Sequence, residues 1–104
     1  MPDSADRIEI ENVVSPHHRQ KVDRTKYMAM RKALLAVLPN DPPGLTVAEA
    51  KDALLPDLPD DLWPGGAKAG WWLKAVQLDL EAKGVIGRAA MKPVRLFRRV
   101  EFNG

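Results

Sequence analysis

The chain has 104 residues, 45% hydrophobic and 29% charged, with no cysteine and a formal net charge of +2. That length suits one domain around one core, and the missing thiols exclude disulfides, thiolate zinc sites and cysteine nucleophiles. No apolar run approaches the roughly 18 residues of a membrane span, and Met1 to Val14 is too acidic and polar for a secretory signal, so the expectation is a cytoplasmic domain held by packing.

Residues 1 to 22 read as an N-terminal arm or short strand, with the domain proper over residues 23 to 102. Ile8 and Ile10 alternate with Glu9 and Glu11, which predicts an edge strand near Arg7 to Val13 before the breaker Ser15-Pro16-His17-His18. Asp23 is placed to cap a first helix, because its carboxylate can accept from unpaired first-turn amides. Tyr27, Met30, Leu34 and Val37 recur at helical spacing, and the helix should end near Leu38, where Pro39, Pro42, Pro43 and Gly44 follow. Thr46 with Glu49 three residues on forms a capping box for a second, short helix. Its apolar face is Val47, Ala50, Ala53 and Leu54, and Pro56 and Pro59 limit its length. Asp60 to Gly66 reads as a loop.

A third helix starts between Gly66 and Gly70. At about 100° per residue, Trp72, Leu73, Val76 and Leu80 share one stripe, the expected core face. Gly84 can take positive φ after the helix, and Val85 can fold back on Leu80 in a Schellman arrangement. Val85 to Arg88 then reads as a strand, Ala89 to Pro93 as a turn and Val94 to Val100 as the returning strand. The predicted class is mainly α with a small β-hairpin, an α+β fold.

The stretch LDLEAKGVIGR followed by KPVRLFRR resembles the end of a winged-helix domain, and the longer first helix and short capped second helix precede it in that fold's order. The resemblance implies a winged helix-turn-helix of three helices plus wing, acting as a DNA-binding transcriptional regulator. In such proteins the third helix lies in the major groove of double-stranded DNA and the wing touches backbone or minor groove. The string PGGAKAGWWLKAVQLDLEAKGVI also resembles a small family of uncharacterised bacterial proteins, over about Ile8 to Arg98, which brings no activity with it.

Charge is unevenly distributed. Arg88, Lys92, Arg95, Arg98 and Arg99 form a basic hairpin, and Asp41, Glu49, Asp52, Asp57, Asp60 and Asp61 form an acidic stretch opposed only by Lys51. The nucleic-acid candidates are Lys68, Lys74 and Gln77 on the third helix and Arg88, Lys92 and Arg95 on the hairpin. Pairing of the hairpin arginines with the acidic side competes with phosphate contact. The rest of the third helix departs from a groove reader, which offers donors and acceptors to base edges. Trp71, Ala75, Leu78 and Ala82 instead make a second apolar stripe, and stripes on both sides imply burial on both sides. Its cover is the N-terminal segment, a second copy of the chain or another protein. The competing function is therefore a self-association or protein-interaction module without nucleic acid.

Other features carry no chemistry. His17 and His18 are adjacent and lack the ligands of a zinc site, so an exposed breaker is expected and no metal. Asp57, Asp60 and Asp61 lack calcium-loop spacing, and Gly65, Gly66 and Gly70 lack the Lys-Ser/Thr end of a phosphate loop. Ser4, Ser15 and Thr25 have no orienting base. No catalytic residue, no cofactor and no enzyme activity is expected.

Overall fold

A computed structural model describes residues 7–12, 14 and 20–99. In chain order the elements are β1 (Arg7–Ile10), β2 (Gln20–Asp23), α1 (Arg24–Val37), β3 (Leu45–Thr46), α2 (Val47–Leu54), α3 (Ala69–Ala82), β4 (Ile86–Ala89) and β5 (Arg95–Arg98). Short 3-10 turns at Leu55–Asp57 and Pro64–Gly66 join α2 to α3. The fold is mixed α+β, with three helices and two small antiparallel sheets.

Local chemistry places the helix ends as expected. The Asp23 carboxylate accepts from the Lys26 amide at 2.9 Å. In the capping box the Glu49 amide donates to Thr46 Oγ1 at 3.1 Å while the Thr46 amide donates to Glu49 Oε1 at 2.9 Å, which satisfies two free amides reciprocally. At the end of α3, the Val85 amide donates to the Leu80 carbonyl at 2.9 Å and the Gly84 amide to the Glu81 carbonyl at 3.1 Å. Gly84 has φ 76°. This is the Schellman arrangement, and it turns the chain directly into β4.

The strands depart more from expectation. β1 ends at Ile10, short of the anticipated Val13, and pairs with β2 in the register Arg7↔Asp23 to Ile10↔Gln20. Val13, His17 and His18 lie outside the described residues, as does Val100 at the expected end of β5. β2 has one apolar residue, Val22, so its alternation leaves no visible pattern. β3 is two residues long and equally silent. It pairs with β5 (Leu45↔Leu96), and β5 pairs with β4 (Ile86↔Arg98 to Ala89↔Arg95), giving the order β3-β5-β4.

One core joins these parts. Tyr27, Met30 and Leu34 of α1 meet Leu54, Trp72, Leu73, Val76 and Leu80 from the other helices and Ile86 and Leu96 from the sheet. Ile10 and Val22, in β1 and β2, belong to the same cluster, so these two strands share the core of the rest. Each fully buried Leu or Ile contributes about 1.5 to 3 kcal/mol.

Gly44 sits where β3 meets β5. Its φ is +85°, and a Cβ there would lie 1.8 Å from the Leu96 carbonyl oxygen, whereas Gly65, at φ +63°, has nothing within 4 Å. Left-handed backbone alone costs a non-glycine residue roughly 1 to 2 kcal/mol. Gly44→Ala should therefore lose clearly more stability in urea titration than Gly65→Ala, because β5 must also move. Equal losses would show that the close approach is not a constraint.

Candidate nucleic-acid interface

The N-terminal turn of α3 is its open end. Lys68 occupies the N-cap with φ 64° and makes no side-chain cap. Lys68, Gly70, Trp71 and Lys74 are all exposed. The Lys51 ammonium of α2 reaches the same end, 3.5 Å from where a Cβ on Gly70 would stand. Trp71 is 52% exposed, yet it is not loose. Its ring meets Trp72 edge-on at 5.2 Å and 78°, and Trp72 meets the buried Trp63 at 6.1 Å and 77°. Lys26 Nζ lies 5.8 Å from the Trp72 ring centre, within cation–π range. Lys92 is exposed beside the exposed Met91, in the turn between β4 and β5.

The remaining nucleic-acid candidates are placed differently. Gln77 is 1% exposed, and its Nε2 donates to Glu81 Oε2 at 2.7 Å. The expectation that it faces a groove is corrected: it stands between the buried Val76 and Leu78 on a helix packed on two sides. Arg88 grips Glu81 with two bonds, Nε to Oε1 at 2.7 Å and Nη2 to Oε2 at 3.0 Å. This bond to Glu81 holds the guanidinium pKa above its ordinary value. Arg95 Nη1 donates to the Gly44 carbonyl at 3.0 Å and lies 3.5 Å from Glu49 Oε1. The Thr46 amide, and secondarily Arg95, hold the Glu49 carboxyl below its ordinary value. Both hairpin arginines thus staple β4 and β5 to the helices.

The second apolar stripe of α3 divides. Leu78 is only 8% exposed, and it lines a shallow dent with Ala75 and with Ile10, Glu11, Asn12 and Gln20 of the first hairpin. Ala75 and Ala82 are half-buried. Residues of the first hairpin thus lie over Leu78, while Trp71 stays open.

Sequence pattern alone does not single out Asp79. It is fully buried, and its carboxylate accepts from the Tyr27 hydroxyl, the Lys83 ammonium and, at 2.8 Å, the Glu11 amide. Lys83 Nζ also lies 3.8 Å from Glu11 Oε2. The available signal was a lone acid between Leu78 and Leu80 with a lysine four residues on, a pair that shares one helix face. Burial, and then the bond to Asp79, push the Tyr27 phenol well above its ordinary pKa.

A model of a family of unknown function (DUF6958) matches residues 7–96. The chain belongs to that family. The DUF6958 match begins with β1 and runs into β5, so it takes in the first hairpin, the Asp79 cluster and the open end of α3. No curated protein and no solved structure matches the chain. Among the described residues no helix is long and apolar enough to cross a membrane.

Tyr27→Phe tests the Asp79 cluster. It should cost about 1.5 to 3 kcal/mol at neutral pH, the worth of a hydrogen bond to a charged group. Because folding raises the phenol pKa, the neutral hydroxyl contributes fully below the ordinary tyrosine value near 10 and loses that contribution as pH climbs toward the folded value. The stability difference between wild type and variant, followed by urea melts, should therefore shrink above about pH 10. A difference that is constant across that range contradicts the assignment.

Proposed function

We propose that this DUF6958 chain is a winged-helix-like nucleic-acid-binding domain without enzymatic activity, holding the phosphate backbone with lysines of α3 and of the β4–β5 turn. The winged-helix reading is supported by the strand order β3-β5-β4 and by a hairpin that follows α3 directly. The observation that carries the function is the exposure of Lys68, Trp71 and Lys74 on the helix preceding the hairpin, with Lys92 exposed at the hairpin turn.

Base-edge donors are scarce on this surface. Gln77 is inside, and Arg88 and Arg95 are committed to Glu81 and Glu49. Lysine ammonium groups meet phosphates as point charges and carry little sequence information. The binding is therefore directed at the backbone, and a transcriptional-regulator role would require base readout beyond these lysines.

Titration of labelled DNA at several salt concentrations tests this. Three lysine contacts on a duplex give a slope of log affinity against log salt near about −2.7. Lys74→Ala and Lys92→Ala should each flatten it by roughly 0.9, while Arg88→Ala leaves it unchanged because that side chain is held by Glu81. No binding at low salt removes the reading.

Self-association through α3 is the second reading, favoured by the open Trp71 ring. It requires a dimer in light scattering that Trp71→Ala converts to monomer. A monomeric wild type eliminates it.

A further inference from the structure

Resting on the nucleic-acid reading, we infer that the strand taken by the open end of α3 is unpaired, and that one of its bases stacks on the Trp71 indole. The ring is an unusual thing to leave in water. It is 52% exposed on a helix whose other large apolar residues, Trp72, Leu73, Val76, Leu78 and Leu80, are buried. It is also fixed in place, since its edge contact with Trp72 continues to Trp63 in the core. A ring held this way loses little further freedom when something stacks on it.

The surroundings select the partner. Lys68 and Lys74 lie three residues to either side of Trp71, and the Lys51 ammonium stands beside Gly70. None of these three lysines makes an ion pair among the described residues. Two copies meeting symmetrically through Trp71 would set these lysines against their own counterparts, which disfavours a homodimer. A membrane surface would need the apolar face of α3, and that face is in the core. The fitting ligand is anionic and offers flat aromatic faces. A duplex hides those faces inside its stack, whereas a single strand presents them. Aromatic rings set among cations are how proteins hold single strands with little sequence preference, which agrees with the shortage of base-edge donors here.

The test compares full-length chain binding to oligo(dT), to oligo(U), to a DNA duplex of equal length and to polyglutamate, by anisotropy at low salt. Either single strand should bind more tightly than duplex and polyglutamate, and the preferred one tells DNA from RNA. Trp71→Ala should weaken single-strand binding roughly five- to 150-fold, the range of one stacked base, with little change for duplex. Trp71→Phe should restore most of it, and thermal melts of both variants check that they fold. Duplex binding equal to or tighter than single-strand binding, or an equal effect of Trp71→Ala on both, overturns the stacking inference and leaves the phosphate-binding reading standing. Polyglutamate binding as tightly as oligo(dT) reduces the site to a general anion surface and overturns it too. If no nucleic acid binds, the function itself is wrong.

Discussion

Midway along α3 a carboxylate sits out of reach of water, and a buried charge without partners costs several kcal/mol. Asp79 obtains those partners from separate parts of the chain: the Tyr27 hydroxyl of α1, the Lys83 ammonium one turn further along α3, and the Glu11 amide just after β1. Satisfying it therefore requires the N-terminal segment to return to α3. The β1–β2 hairpin performs that return, delivering Ile10 and Val22 to the core and closing over Leu78. Positions 27, 79 and 83 form one network, so a change at any of them alters the setting of the other two.

With α3 packed against the core on one side and the first hairpin on another, its free surface shrinks to the N-terminal turn. There the charges divide by type. The arginines at 88 and 95, whose planar forks suit carboxylates, are used to join helices and sheet through Glu81 and Glu49. The lysines at 68, 74 and 92 are left toward solvent, and Lys51 is half-buried. A modest net charge of +2 thus conceals a local group of lysines, Lys51, Lys68 and Lys74, at the Trp71 end of α3, and it is local field that a polyanion meets first.

What could be read from the sequence was what neighbouring residues decide among themselves. The Asp23 cap, the Thr46–Glu49 box and the Gly84 turn are local motifs, and each appears where spacing placed it. The Trp72, Leu73, Val76 and Leu80 stripe follows from helical period alone. β2 and β3 were invisible because Gln20–Asp23 shows one apolar residue and Leu45–Thr46 is too short for any period. Asp79 shows only its Lys83 partner within reach of a sequence window; Tyr27 and Glu11 lie 52 and 68 positions away, and no window contains both ends. The same distance applies to Leu78, which period places off the main core stripe and which is buried against residues from the far end of the chain. Gln77 departs from its expected outward placement because it is buried against Glu81, which accepts from it and also from Arg88.

The edge-packed indoles at positions 63, 72 and 71 have an optical consequence. They run in edge contact from the centre of the molecule to its surface, and rings this close pass excitation among themselves. Light absorbed in the interior can be emitted or quenched at the rim. The intrinsic emission of this protein consequently has no single address: a spectral change reports on the set of three rings and not on one indole.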